Sequence, residues 1–315
     1  MTAGPRVVAL GGGHGLSASL TALRTVTERL TAVVTVADDG GSSGRLRHEF
    51  PALLPPGDLR MALAALAGES RGDVWTQLVQ HRFGGTGALA GHAMGNLLIA
   101  ALTQLTGDPV RSLDTVNELL GGPGRVLPMT LVPLEIVAEV MGAGADPRAV
   151  TEIRGQHAVA TTPGRVMGVH LQPADPPACP DALAAIAEAD WVVLGPGSWF
   201  TSVLPHLLVP DLAAAISKTE ARRVVVLNLA AQAGETQGFS PEAHLQVLAA
   251  YASGVRIDVV VADTSHVPDP RGLMSVARDL GAEVVLAPVA RDDGSPRHDT
   301  ARLAEVFARF MGGRH

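Results

Sequence analysis

The chain has 315 residues, of which 47% are hydrophobic and only 17% charged; 24 basic against 31 acidic side chains leave a net charge of −7. This composition excludes a disordered chain and argues against a nucleic-acid-binding surface, which needs clustered cations. The aromatic content of 3% also leaves little for stacking on bases. A single cysteine, Cys179, has no internal partner and points to a reducing compartment. No apolar run reaches the ~18 residues of a membrane span, and the first residues run into a strand without a charged, cleavable leader. The expected location is the cytoplasm.

The first predicted element is the strand RVVAL (6–10), which runs into Gly11, Gly12, Gly13, His14 and Gly15 and then into a helix from about Leu16. Gly13 to Ala18 fits the pattern G-x-G-x-x-G/A between a strand and a helix. Glycines there let the backbone approach a diphosphate, whose charge faces the helix's unpaired N–H groups. The P-loop pattern G-x-x-x-x-G-K-[ST] is absent, and the only lysine is Lys218. His14 is either a donor to a phosphate oxygen or an exposed loop residue.

The second strand, LTAVVTVA (30–37), ends in DDGGSSGRLR. Asp38 stands near the position where a Rossmann acid holds ribose hydroxyls. Asp38 or Asp39 can instead hold Mg²⁺; Asp39 is the candidate metal ligand. Ser42 and Ser43 belong to a glycine–serine nest, and Arg45 can clamp a phosphate. Residues 58–121 read as a helical segment. In it, Asp58 is either an N-cap or a ligand group, and His92 and Asn96 lie at a further helix start with the same two readings. Residues 125–173 read as a small β-rich insertion.

Four more apolar runs follow: WVVLG (191–195), RRVVVLNLA (222–230), IDVVVA (257–262) and AEVVLAP (282–288). Such runs suit strands covered on both faces. The loop after the first carries Gly195, Gly197, Ser198 and Thr201. The loop after the second carries Asn228, Gln232, Glu235 and Thr236, then Ser240 and Pro241 as N-cap and first helical residue. Near the end, Asp299 or Thr300 caps a last helix with Leu303, Val306 and Phe307 on its apolar face, which places Arg297 and His298 at its start. Together these predict a single α/β domain over residues 1–315. It is a Rossmann-like doubly wound, mostly parallel sheet, with the helical segment and the insertion inside it. Several polar loops converge on the sheet's carboxyl edge. No nucleophile elbow, zincin motif or paired Cys/His metal site is present, and no hydride-transfer partner can be named.

In this order, VVALGGGHGLSASLTALR, TAVVTVADDGGSSGRLRHEF, LPPGDLRMALAALA, GHAMGNLLIAALTQLTGD, GRVLPMT, ADWVVLGPGSWFTSVLPHLLVP, LNLAAQAGETQGFS and RHD resemble the gluconeogenesis-factor (YvcK) family. That family is a branch of the 2-phospho-lactate transferase (CofD-like) superfamily. The resemblance spans essentially the whole chain and is weakest through 133–170 and 263–295. It implies a Rossmann-like fold with nucleotide across the carboxyl edge, binding of UDP-activated sugars, notably UDP-N-acetylglucosamine, and Arg297 as a clamp on the diphosphate. It further implies a regulator of cell shape and cell-wall precursor supply during growth on gluconeogenic carbon. Related CofD enzymes transfer a phospholactyl group from a guanylylated donor to a deazaflavin, with Mg²⁺ and release of GMP. Departures are small: His14 stands where many relatives have threonine, Ala233 where proline is frequent and Gln237 where aspartate is common. The residues leave two classes open, a regulator without turnover and a nucleotide-dependent group transferase with Asp38 or Asp39 as the acidic group. A homo-oligomer is left open as well.

Overall fold

The computed structural model describes residues 4–68, 74–232, 234–252 and 254–312; Ala233 lies outside the described residues. The first half contains β1 (Val7–Gly11), α1 (Gly13–Leu23), β2 (Leu30–Val34), α2 (Gly41–Glu49), α3 (Pro56–Ala67), α4 (Val74–Gln80), α5 (Met94–Thr106) and α6 (Pro109–Leu120). Next come β3 (Arg125–Pro128), β4 (Glu135–Met141), β5 (Val150–Arg154), α7 (Gln156–Ala160), β6 (Arg165–Gln172), α8 (Pro180–Ala187) and β7 (Trp191–Leu194). A π-helical turn (Trp199–Val203) and a 3-10 turn (Leu204–Leu207) lead to α9 (Pro210–Lys218), β8 (Arg222–Val226), α10 (Pro241–Tyr251), β9 (Val259–Asp263), α11 (Pro270–Asp279), β10 (Glu283–Ala287) and α12 (Thr300–Met311).

Seven strands form one parallel sheet in the order β10-β9-β8-β7-β1-β2-β3. Its inner strands are valine-, alanine- and leucine-rich. β1, β7 and β9 are buried at every position, as expected for strands covered on both faces. The small sheet is antiparallel, in the order β5-β4-β6. One boundary differs from the sequence reading. Arg125–Pro128, taken there as the start of the β-rich insertion, pairs parallel with β2 and forms an edge of the main sheet.

The helix ends follow local chemistry. Ser240 accepts from the Ala243 N–H with Pro241 in the first turn, and Asp299 accepts from Ala301 and Arg302, as the sequence predicts. Leu303, Val306 and Phe307 of α12 enter the main core, where α12 packs on α1. Cys179 is buried and free, and burial raises its thiol pKa. Among the described residues no single helix is long and apolar enough to cross a membrane.

Candidate functional site

The strand order reverses beside β1. The chain moves outward from β1 to β2 and β3, then returns on the other side of β1 at β7. Ligands of open α/β sheets bind outside the carboxyl ends of strands at such a switch point. Here the loops after β1 and β7 touch. A Cβ on Gly15 would lie 2.1 Å from the Pro196 carbonyl oxygen and 2.5 Å from the Gly197 Cα, so only glycine lets the two loops meet. Ser19 Oγ donates to the Gly195 carbonyl at 2.7 Å. Asn228, from the loop after β8, clamps the Gly197 backbone: its Oδ1 accepts from the Gly197 N–H at 2.9 Å and its Nδ2 donates to the Gly197 carbonyl at 2.7 Å. Gly13 opens α1 at φ +55°, in the left-handed region. Gly11 ends β1 and Gly12 is the N-cap of α1, whereas the Leu16 side chain is buried in the core and packs on Gly11.

A cleft of about 860 Å³ opens over this junction. Its inner end is lined by His14, Gly15, Gly197, Asn228 and Gln232, and its flank by Arg291, Arg297 and His298. It then follows one face of α1 past Ser17, Ala18 and Thr21 to Arg24. No aspartate or glutamate is among the described lining residues, although the chain as a whole is acidic. Arg291, Arg297 and Arg24 are in no ion pair among the described residues. His298 is buried, and that burial pushes its pKa down to about 4, so the ring is neutral at physiological pH. His298 Nε2 and Gln232 Oε1 are buried without partners.

The acidic residues gather deeper, beside the start of α1. Asp58 is not the N-cap of α3, a place held by Pro55; it sits in the first turn with its carboxylate against Gly12 and Gly13. It accepts from the Gly13 backbone, while its Oδ2 is buried and unpartnered. Desolvation, with the Asp38 charge second, pushes its pKa up to about 7. Asp38 accepts from the Gly40 N–H at 2.9 Å and packs on Gly57, whose N–H donates to Ser43 Oγ at 3.0 Å. Asp38 and Asp58 are thus the neighbouring carboxylate pair. Asp39, the sequence candidate for a metal ligand, turns away: its Oδ1 accepts from the His157 N–H at 2.9 Å, tying the start of α7 to the main sheet. Arg45 also points elsewhere, its guanidinium donating to the Ala88 and Ala90 carbonyls at 3.4 and 2.8 Å.

Other sequence candidates brace the site from inside. Asn96 Nδ2 donates to Ser42 Oγ at 3.0 Å, Arg60 Nε donates to Asn96 Oδ1 at 2.9 Å, and Ser42 Oγ meets His92 Nδ1 at 2.9 Å. This buried chain joins α2, α3 and α5. Ser198 and Thr201 both donate to Glu235, which also accepts from the Phe200 N–H at 3.2 Å, and Thr236 Oγ1 accepts from the Gln232 N–H at 2.9 Å. Burial raises the pKa of Glu235. These groups hold the loops after β7 and β8 against each other.

The sequence candidates that line the cleft are His14, Gly15, Gly197, Asn228, Gln232 and Arg297. Sequence reasoning missed Ser17, Thr21, Arg24 and Arg291. The row His14, Ser17, Ala18, Thr21 at helical spacing is the one signal that would have marked an α1 face left uncovered by large side chains.

Comparison with known proteins agrees with this geometry. Residues 7–292 match the family model described as 2-phospho-L-lactate transferase CofD. A Mycobacterium tuberculosis (strain ATCC 25618 / H37Rv) protein named "Putative gluconeogenesis factor" is 58% identical over 305 residues, covering 96% of this chain and 89% of its own length. The gluconeogenesis factor of Listeria monocytogenes is 36% identical over 319 residues, covering 98% of this chain and 96% of its own. A crystal structure of a UPF0052-family protein from Bacillus halodurans superposes with a TM-score of 0.85 at 33% identity, covering 97% of this chain and 99% of that one. A doubly wound sheet with its glycine turns meeting at the switch point, matched over almost its whole length, makes this chain a member of the CofD family, in its gluconeogenesis-factor branch.

Proposed function

We propose that the protein is a cytoplasmic binder of UDP-activated sugars, notably UDP-N-acetylglucosamine, and that it regulates cell-wall precursor supply and cell shape according to gluconeogenic carbon flux. The observation that carries the binding half is the cleft itself. It joins the N-terminus of an 11-residue helix to arginines that are in no ion pair among the described residues, and no described carboxylate lines it. A diphosphate is the chemistry that such a helix start and a guanidinium select. The inner end can take the diphosphate at Gly13–Gly15 and Gly197, with Arg297 across from it. Exposed, and free of ion pairs among the described residues, Arg297 has its donors available for a ligand.

Calorimetry with UDP-N-acetylglucosamine tests the reading. Arg297→Ala removes one charged hydrogen-bonding partner and should weaken binding by about 2 kcal/mol, or roughly 30-fold, with the fold intact. Wild-type affinity in that variant, or no binding by the wild type, would overturn it.

A second reading, a group transferase of the 2-phospho-lactate transferase type, is favoured by one observation. Asp38 and Asp58 lie together beside the start of α1, and Asp58 Oδ2 is orphaned. Two hard oxygen donors next to a phosphate cradle fit Mg²⁺, which needs few protein ligands because phosphate and water complete its shell. Among the described residues no group of three or more His, Cys, Asp or Glu could hold a metal. Mg²⁺ would supply charge neutralisation between these carboxylates and a phosphate. Asp38 and Asp58, rather than Asp39, would hold it. Release of UMP or UDP on incubation with Mg²⁺ and acceptors would favour this reading over simple binding.

A further inference from the structure

The cleft does not end at the phosphate cradle. It runs the length of α1, whose 11 residues rise about 16 Å, and closes on Arg24 at the helix C-cap. Ser17, Ala18 and Thr21 pave that face with short side chains, so the groove is continuous from the cradle to Arg24. Across it stand the end of α3, through Ala64, Ala65 and Gly68, and Gln80 of α4.

We infer that the Arg24 end of this groove is a second anion subsite, which takes an acidic group on an extension of the ligand beyond its diphosphate. The inference rests on the UDP-sugar reading of the inner end and adds a preference among such ligands. Two independent features carry it. First, Arg24 is seated by Gly68: a Cβ there would lie 2.0 Å from Arg24 Nη1, and Gly68 also holds a φ of +76°. The guanidinium can occupy the groove only because that position lacks a side chain. Second, the guanidinium has no hydrogen bond or ion pair among the described residues, and its Nε is buried without a partner. A buried donor left unpaired costs stability unless something outside the chain completes it. A cation at a helix C-terminus often serves the helix dipole by bonding the last carbonyls. Among the described residues Arg24 makes no such side-chain bond, so the dipole does not account for it. Among the described residues no acidic side chain lines the groove to supply the matching anion.

The chemical class is therefore a nucleotide sugar whose sugar carries a carboxylate-bearing extension. The test compares UDP-N-acetylglucosamine with UDP-N-acetylmuramoyl-L-alanyl-D-glutamate by calorimetry on the full chain. The two share the UDP–hexosamine core, and only the second carries an acidic extension. Wild type should prefer the extended probe by roughly tenfold, the worth of one charge-assisted contact. In Arg24→Gln the ratio of the two affinities should fall to about one, and Arg24→Lys should restore part of the preference. Absence of a preference in wild type would overturn the subsite without any variant, and so would a preference that survives Arg24→Gln in a folded protein. Failure of both probes to bind wild type would instead remove the UDP-sugar reading, and the subsite with it.

Discussion

Asp58 concentrates the electrostatics of the site in one side chain. Its carboxylate is buried against Gly12 and Gly13, faces the Asp38 charge, and is only partly offset by Arg60 and the Gly13 N–H. Burial therefore favours the protonated form, with a folded pKa of about 7 against an ordinary 3.8. The consequence for stability has a definite sign. A raised carboxyl pKa contributes stability that is complete below the ordinary value and is lost as pH rises through the folded one. His206 and His298 act in the opposite direction. Burial pushes both to about 4, so they cost stability only as pH falls below the ordinary histidine value of 6.5. Near neutral pH the histidines of the unfolded chain still titrate and oppose Asp58, so the difference between wild type and Asp58→Asn isolates the Asp58 contribution. Relative to Asp58→Asn, wild type should lose up to about 1.4 kcal/mol of unfolding free energy per pH unit between about pH 5 and 7, and little more well above pH 7. Denaturant unfolding at several pH values checks it; an Asp58→Asn slope equal to wild type would mean that the carboxyl titrates normally.

At the scale of elements, the site depends on two turns that fit only through glycine. Gly15 lies in α1, yet what decides its identity is the loop after β7, because the obstructing atoms are backbone and cannot rotate away. Gly15→Ala should cost about 3 kcal/mol through overpacking and should open the gap between the two loops that the ligand bridges. Gly87→Ala is the control. It has no atom within 4 Å of the added carbon, so its stability should stay within about 0.5 kcal/mol of wild type. Equal effects of the two substitutions would show that the α1–β7 junction is not tightly packed. The same scale explains why Asp39, Arg45, Ser198, Thr201 and Glu235 were legible as important but not by role. The sequence marks them as polar residues at strand ends. Only the fold shows that Asp39 serves α7, that Arg45 serves the 88–90 backbone, and that Glu235 gathers the hydroxyls of the π-helical turn.

In the whole molecule, the cleft is assembled from chain segments far apart in sequence. They are the start and face of α1, the end of α3 at 64–68, α4 at 76–80, the loop at 196–197, the loop at 228–232 and the segment 291–300. Binding at 100 times the dissociation constant stabilises a protein by about 2.7 kcal/mol through mass action alone. Hydrogen exchange with saturating UDP-N-acetylglucosamine should therefore slow locally in the segments that line the inner end of the cleft, more than that uniform gain. The antiparallel sheet of β4, β5 and β6 should show only the global effect. Added protection confined to the small sheet would move the binding site away from the switch point.

Much of this architecture follows from the sequence alone. Runs such as WVVL and VVVAD are apolar at every position, which suits only strands covered on both faces, and each ends in a glycine-, aspartate- or serine-bearing loop. Parallel connections then bring those loops to one edge, so the cradle at Gly13–Gly15 and its partner at Gly195–Ser198 are readable from local pattern. Local pattern does not determine which strand Arg125–Pro128 joins, because a four-residue strand carries no information about its neighbour. Nor does it decide where a side chain points after a turn, since that depends on what the fold has packed opposite. Asp58 reads as a helix cap until α1 is set beside it, and Arg24 reads as a surface charge until Gly68, just past α3, closes over it. Those two residues became candidates for chemistry only through tertiary structure, because burial and the absence of a partner are properties of the packed chain.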